Sequence, residues 1–335
     1  MEGTLKIQRQ LVGRTNTPQG ADLPVDAYTL DNGDDLAVTV WTYGATLVEV
    51  RTPGRDNRTD NVVVRLPGLG DYEDRGRNAY VGATVGRYCR CVRDGRMVLD
   101  GVPHQLARNE GPHHVHGGSE GFDRRVWAAE AGRDGDDLVL RLCLDSPDGD
   151  QGYPGAVRAE TVYRVDRETG LTIEFSGTTT APTVFGLTNH AFWNLAGHGT
   201  IDGHELAVNA SSSVLFDGEL PLAGPPADIR GTRLDYQDAR RIGDEALDNF
   251  FVLDDPWLWA AQLHDPGSGR LLEVRTEGPG MGVYSGDKML TPRAGLALEP
   301  GCFPDAPNRP DYPSARLDPG QTRTESTIYR FSVAP

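Results

Sequence analysis

Short runs of hydrophobic residues, broken by turn residues, occupy most of the chain. The clearest example is residues 25–49, where Tyr28-Thr29-Leu30 and the run from Leu36 to Trp41 flank Asn32-Gly33. An Asn-Gly pair between two β-favouring runs is typical of a hairpin. A second predicted hairpin has Asp100-Gly101 at its turn. Further strands are predicted at residues 43–50, 61–66, 138–144, 157–165, 171–180, 183–187, 205–208, 250–253, 271–276, 282–284 and 326–333.

This pattern predicts an all-β fold. No segment keeps a 3.6-residue apolar period long enough for a confident helix, and 41 glycines and 23 prolines interrupt the runs. Short strands with frequent turn signals indicate a sandwich or barrel. No repeat or Pro/Ser-rich linker divides the chain, and residues 145–154 and 220–228 are interpreted as loops. We therefore predict a single domain over residues 1–335.

Composition narrows the choice of partners. The 335 residues carry 49 acidic and 33 basic side chains, for a formal net charge of -16. Nucleic acid and anionic membranes need basic surface, so neither is expected as a partner. The four cysteines include Cys89 and Cys91, whose C-x-C spacing is not that of a zinc ribbon, and free thiols fit a reducing compartment. Without a long apolar stretch, the chain is predicted to be cytoplasmic.

Three stretches carry candidate chemistry. Residues 186–197 bring His190 among aromatics and amides, and a neutral imidazole is well suited to proton transfer near neutral pH. A structural histidine at a turn is an equal alternative. Glu299 ends an apolar run, where burial is expected to raise the pKa of a carboxyl toward a value useful for a general base. His116 is a second acid or hydrogen-bond donor, and Asp248 heads a strand where it could hold hydroxyl groups.

A base, an acid and polar binders without a nucleophile suit proton shuttling on a sugar-like substrate. A metal site at His113, His114 and His116 is disfavoured, because neighbouring residues of a strand face opposite ways and no helix is predicted there.

The motifs along the chain resemble those of the aldose 1-epimerase (galactose mutarotase) family, in family order from about Leu30 to Phe331. Together they are specific, although each alone is weak. The matching segments are Val81-Gly82-Ala83-Thr84-Val85-Gly86-Arg87, Leu99-Asp100-Gly101, His116-Gly117-Gly118, Gly121-Phe122-Asp123, Thr188-Asn189-His190, Asn194-Leu195-Ala196-Gly197, Asp248 to Leu253, Val283-Tyr284-Ser285-Gly286, Leu298-Glu299, Phe303-Pro304-Asp305, Leu317-Asp318-Pro319-Gly320 and Tyr329-Arg330-Phe331.

The resemblance implies a large antiparallel β-sandwich (a galactose mutarotase-like supersandwich) with a carbohydrate cleft, no cofactor and no metal. It also implies residue roles. Glu299 would take the proton of the anomeric hydroxyl, and His190 would protonate the ring oxygen. His116 would donate near the ring oxygen, and Asp248 would bind ring hydroxyls. The partner would be a small carbohydrate, and the protein is expected to be a monomer or homodimer.

Several positions depart from the family pattern. The usual Asn-Arg pair is Arg90-Cys91 here, and a usual glutamine is Gly282. Strand alternation is expected to turn Arg90 and Cys91 to opposite faces. Both are nevertheless predicted to bind substrate and set its choice. The remaining predicted substrate contacts are Asn189, Tyr284 and Trp193, the last equally compatible with core packing.

Three functions therefore stay open at the level of sequence. The first is a sugar anomer-interconverting aldose 1-epimerase with altered preference. The second is a related enzyme recruited to open, close or isomerise a non-standard hemiacetal-type ring. The third is a non-catalytic carbohydrate-binding protein on the same fold. The retained base and acids count against the third, because binding alone needs neither.

Overall fold

The computed structural model describes residues 5–217, 220–221 and 224–334. Its elements in the first half of the chain are β1 (Lys6–Thr17), β2 (Gly20–Asp31), β3 (Ala37–Trp41), β4 (Thr46–Pro53), β5 (Thr59–Asn61), α1 (Leu69–Glu73), β6 (Thr84–Val85), β7 (Arg96–Leu99), β8 (Val102–Gln105), β9 (Ala128–Asp134), β10 (Asp137–Ser146), β11 (Val157–Val165), β12 (Gly170–Thr179), β13 (Thr183–Val184), β14 (Thr188–Asn189) and β15 (Phe192–Trp193).

The second half of the chain continues the β pattern. Its strands are β16 (Glu205–Val208), β17 (Ser212–Val214), β18 (Phe216–Asp217), β19 (Leu220–Pro221), β20 (Ala227–Asp228), β21 (Arg240–Arg241), β22 (Asp248–Val252), β23 (Ala261–His264), β24 (Arg270–Thr276), β25 (Gly280–Tyr284), β26 (Leu296–Gly301), β27 (Arg316–Leu317) and β28 (Arg323–Val333). Short 3-10 turns lie at Arg93–Gly95, Phe122–Arg124, Asp150–Gly152, Ile201–Gly203 and Ala306–Asn308.

Two antiparallel sheets form the main layers. Among the described residues, the larger has nine strands in the order β21-β16-β23-β24-β28-β12-β11-β10-β9, and the other has six in the order β15-β26-β25-β22-β17-β20. In β24, buried and half-buried residues alternate without interruption, as expected for a strand with one face on the core. Alternation thus produces the apolar face that the second sheet covers.

The core lies between these sheets. Leu272 and Phe331 of the larger sheet and Met281 and Leu298 of the smaller one belong to one buried cluster. Trp193 of β15 packs its ring 5.1 Å from that of Tyr329 across the layers. Such sheet-on-sheet packing is the arrangement of a β-sandwich, and the predicted fold class is confirmed.

The N-terminal sheet β1-β2-β3-β4-β5 adds to this core. Its β2 and β3 pair around Asn32-Gly33, and β7 pairs with β8 around Asp100-Gly101, so both predicted hairpins are confirmed. The prediction did not include β1. The predicted strand at residues 61–66 was wrong beyond Asn61, because after β5 the chain makes only an isolated bridge at Val63.

The predicted strand at residues 183–187 covers only β13 in the structure. None of the helices in the described ranges is long and apolar enough to cross a membrane.

A buried arginine connects the sheets. The Arg270 side chain is 2% exposed, and its guanidinium donates to the carbonyl oxygens of Thr52, Leu195 and Arg58 and to Asp60 at 2.7–3.2 Å. These acceptors lie on β4, on β5 and the residue before it, and in the segment after β15, so one side chain from β24 satisfies three neighbouring parts of the fold.

Arg270→Met should lower the free energy of unfolding by about 3–5 kcal/mol, since it leaves buried acceptors and a carboxylate without their donor. Urea denaturation followed by circular dichroism measures the change. Arg164→Met is the control, because it removes only partly exposed ion pairs to Asp134 and Asp137. It should lower the free energy of unfolding by less than about 1 kcal/mol. Equal losses in the two variants would contradict the role given to Arg270.

Candidate active site

Three neighbouring strands present one polar face away from the core. Glu299 on β26 pairs with Gly282 on β25, and Gly282 pairs with Phe250 on β22. Asp248 and Tyr284 are paired across the same two strands, two residues further along, and therefore lie on the same face. Because side chains alternate across a strand, these residues share the face opposite to the core residues of the same strands. Their side chains line a cleft of about 270 Å³.

A buried ion pair forms the floor of this cleft. Nη1 of Arg90 donates to Oε2 of Glu299 at 2.8 Å, and Nη2 donates to the main-chain oxygen of Glu299. The side chains are only 9% and 5% exposed. The guanidinium also lies over the Phe250 ring, 5.2 Å from its centroid. Arg90 therefore contacts the candidate base directly.

His190 faces the other oxygen of the carboxylate. It follows β14, and its backbone bonds to Ala83 and Gly82 fix it against the neighbouring chain at 2.8 and 2.9 Å. Nε2 of His190 lies 3.6 Å from Oε1 of Glu299. The Phe192 ring, 4.9 Å away, packs behind the imidazole. A candidate base and a candidate acid thus share the cleft floor.

His116 reaches the same point from a strained turn. Its φ is 51°, an uncommon conformation for a residue with a side chain. The next residue, Gly117, has φ 88°, and a Cβ there would lie 1.7 Å from the Gly86 oxygen. This tight turn aims the His116 ring at His190, with ring centroids 5.3 Å apart. Backbone strain of this kind is often found at functional sites.

The three groups perturb one another's protonation. Burial lowers the pKa of His116 to about 3, and the nearby Glu299 charge only partly opposes it. Burial likewise lowers the pKa of His190, against the same carboxylate. At neutral pH His116 is therefore neutral, whereas the Glu299 carboxylate, 3.6 Å from Nε2 of His190, favours the protonated form of His190 that an acid needs.

The pKa expected for Glu299 was wrong in direction. Burial does raise it, but the positive charges that His190 and Arg90 can carry outweigh burial, so the pKa of Glu299 lies below its usual value. The sequence placed this carboxyl among apolar neighbours and could not show Arg90, which is 209 positions away. Glu299 is thus a carboxylate near neutral pH, which is the form that accepts a proton.

Polar groups surround the mouth of the cleft. Asp248, Asn249, Tyr284, Lys288 and Glu110 line it. The Tyr284 hydroxyl accepts a hydrogen bond from the Lys288 backbone N–H at 2.8 Å, which leaves its own proton available to donate. A larger groove of about 530 Å³ lies beside the cleft and shares Ala79 with it, but its lining includes none of the acid/base residues.

Some lining residues were not predicted. Tyr80 contacts both histidines, with ring centroids 4.8 Å from His116 and 5.9 Å from His190. In the sequence, its position directly before the Val81-Gly82 motif was the feature that pointed to the site. Lys288 also lines the cleft, and its rarity, as one of two lysines in the chain, was the feature that set it apart.

The structure does not bring Trp193 or Asn189 to the cleft. Trp193 has no exposed surface and packs in the core, because strand alternation turns its neighbour Phe192 toward His190 instead. Asn189 is buried and uses its amide on the Gly82 carbonyl and the Tyr163 hydroxyl, at 2.8 and 3.1 Å. Both positions contradict the predicted substrate contacts, and Asn189 instead fixes the turn before His190.

Arg90 and Cys91 both line the cleft, although alternation was expected to separate them. They follow the short bridge between Tyr88 and Gly186 and are not part of a regular strand, so the period of two does not apply. Cys91 is 7% exposed.

His116, His190 and Glu299 also form a group that could ligate a metal, since their ligand atoms lie within 4.8 Å of one another. Arg90 already occupies one carboxylate oxygen, and its positive charge repels a second cation at that distance. The arrangement suits proton transfer better than metal binding. That no metal or cofactor is needed stays a prediction.

Comparison with known proteins agrees with this fold. The chain matches the aldose 1-epimerase family over residues 26–330, and it belongs to that family. It is therefore an isomerase of the kind that interconverts sugar anomers, as the sequence predicted.

Relatives of known name cover nearly the whole chain. Galactose mutarotase of Bos taurus is 31% identical over 339 residues, covering 93% of this chain and 97% of its own. Aldose 1-epimerase of Escherichia coli (strain K12) is 31% identical over 336 residues, covering 92% and 95%. The crystal structure of galactose 1-epimerase from Lactobacillus acidophilus NCFM superposes with a TM-score of 0.85 at 27% identity, covering 99% of this chain and 100% of its own.

A second buried histidine supports the loop that carries His116. Nδ1 of His114 lies 2.6 Å from the Ala107 carbonyl oxygen, so it carries the proton, and Nε2 accepts from the Tyr153 hydroxyl at 2.6 Å. Burial lowers the pKa of His114 to about 4. Because the unfolded chain binds this proton near pH 6.5, the neutral histidine stabilises the fold above that pH, and this stability is lost as pH falls toward about 4.

His114→Gln should make stability less sensitive to acid, because glutamine does not titrate. Between pH 7 and pH 4.5, the unchanged protein should lose up to about 3 kcal/mol more of its free energy of unfolding than the variant does. Urea denaturation at the two pH values measures both losses. The same loss in the two proteins would contradict the assignment of a neutral, buried His114.

Proposed function

We propose that the cleft opens and recloses the ring of an aldose by acid/base catalysis. Glu299 takes the proton of the anomeric hydroxyl while His190 gives a proton to the ring oxygen, and the bond between C1 and the ring oxygen breaks. Rotation about the bond next to C1 and reclosure on the other face give the other anomer, and the two protons return. The observation that carries this proposal is the 3.6 Å contact between His190 and Glu299 beneath the open cleft.

His116 assists at the ring oxygen in this proposal. Its ring lies beside that of His190, and its lowered pKa keeps it a neutral hydrogen-bond donor rather than a charged group. A neutral donor stabilises negative charge on the ring oxygen without competing with His190 for a proton.

The proposed substrate is a monosaccharide such as galactose or glucose. A cleft of about 270 Å³ lies at the small end of ligand pockets, which suits one sugar ring. Asp248 and Tyr284 at its mouth offer an acceptor and a donor to ring hydroxyls. The relatives named above as a galactose mutarotase and a galactose 1-epimerase support galactose.

The cellular setting is part of the same proposal. Cys89, Cys91, Cys143 and Cys302 are all free thiols, which fits the cytoplasm. A monomer or homodimer is proposed. The recruited-enzyme and binding-protein alternatives have no observation in their favour.

Glu299→Gln should lower the rate of anomer exchange by about 10²–10⁴-fold, the usual contribution of a general base. Two-dimensional exchange NMR on equilibrated galactose measures the interconversion directly, and circular dichroism checks that the variant is folded. Glu273→Gln is the matched control, because Glu273 lies on β24 and contacts Gln262 and Arg275 away from the cleft. A folded Glu299→Gln protein with unchanged exchange would exclude Glu299 as the base.

A further inference from the structure

We propose that Arg90 and Gly282 act as a coupled positioning pair: Gly282 leaves the space in which the Arg90 guanidinium lies, and Arg90 holds the Glu299 carboxylate with one oxygen turned to His190. Arg90 then acts through Glu299 and does not bind the sugar. The inference rests on the function proposed for the cleft, and it assigns residue 90 to turnover instead of substrate choice.

The contacts of Arg90 leave it little to offer a substrate. Both terminal nitrogens donate to Glu299, one to the carboxylate at 2.8 Å and the other to the main-chain oxygen. Nε has no exposed surface. The flat face of the guanidinium covers Phe250. An arginine with two bonds to one residue fixes the orientation of its partner, which a single point charge would not do.

The place of the Arg90 guanidinium depends on the absence of a side chain at Gly282. A Cβ at residue 282 would lie 2.9 Å from Nη1, 3.0 Å from Nη2 and 3.1 Å from Cζ of Arg90. The strand cannot retreat, because Gly282 is paired with Glu299 on one side and with Phe250 on the other. Any side chain at position 282 therefore pushes the guanidinium out of its present place under the carboxylate, by a few tenths of an ångström for a methyl group and further for a larger side chain.

The displacement would act on the proton affinity of Glu299. The charged and titratable groups that face this carboxylate are Arg90, His190 and His116, with Tyr329 on the core side. Only Arg90 carries a permanent positive charge. Without it, burial of Glu299 is opposed by the histidines alone, so its pKa rises and less of the enzyme holds the base as a carboxylate.

A double-mutant cycle with Arg90→Gln and Gly282→Ala tests the coupling. Each single variant should lower kcat at least about 10-fold, since small misplacements of a catalytic group cost this much or more. KM should change less than about threefold, because neither residue grips the sugar. In the Arg90→Gln background, adding Gly282→Ala should change kcat less than about twofold, since the guanidinium it would displace is gone.

The second readout does not depend on turnover. Carbon-13 NMR of labelled glutamate carboxyls, with Glu299→Gln to identify the signal, follows the titration of Glu299 in all four proteins. The pKa of Glu299 should rise in each single variant and rise no further in the double variant. Gly132→Ala is the matched control, because Gly132 lies on the exposed strand β9 and its Cβ would have open space.

Three outcomes decide the inference. Equal effects of Gly282→Ala in both backgrounds, or a raised KM with unchanged kcat, would overturn it. If the unchanged protein does not interconvert anomers, the proposed function fails, while the Glu299 titrations still test the pair. If Gly282→Ala does not fold, Arg90→Lys replaces it, because lysine keeps the positive charge but cannot make both hydrogen bonds to Glu299. In Arg90→Lys, kcat should fall while KM stays unchanged. A raised KM with unchanged kcat would overturn the inference.

Discussion

A carboxylate removed from water needs a partner for its charge, and much of this cleft is arranged around that need. Glu299 is 4% exposed, and an unpaired buried carboxylate would simply take up a proton. The Arg90 guanidinium prevents this by binding one carboxylate oxygen and leaving the other toward His190. In the proposed mechanism, the residue that keeps Glu299 charged also sets the direction of its carboxylate, so the electrostatics and the geometry of the base have the same origin.

The fold supplies this pair from two kinds of structure. Glu299 lies on β26, between β15 and β25 in a sheet whose other face is core, so its position is fixed by packing on one side and by its pairing with Gly282 of β25. Arg90, His116 and His190 come from turns or irregular segments, where the backbone can aim side chains that a regular strand could not. The left-handed φ of His116 and the tight approach at Gly117 show how closely these turns are fitted.

Sequence reasoning predicted the features that depend on local pattern. Both hairpins followed from their turn residues, and the class of fold followed from short strands. The features it missed depend on neighbours distant in sequence. The sequence leaves Trp193 open as a cleft aromatic or a core residue. In the structure Trp193 is in the core and its neighbour Phe192 faces His190, because adjacent residues of a strand point to opposite faces.

The departures at Arg90 and Gly282 show the same limit more clearly. In the sequence they stand 192 positions apart as two unrelated changes (90 against 282). In the fold, the Arg90 side chain occupies the space that the missing side chain of Gly282 leaves. No period or motif encodes that relation. The sequence therefore suggested altered sugar recognition, whereas the contacts show that Arg90 binds Glu299.

The most direct test of catalysis in this cleft is polarimetry of freshly dissolved α-galactose and α-glucose with the unchanged protein. The optical rotation of at least one sugar should decay to its equilibrium value faster than in buffer, in proportion to enzyme concentration. Decay at the buffer rate for both sugars, with protein shown to be folded, would contradict the assignment of this cleft to monosaccharide anomers.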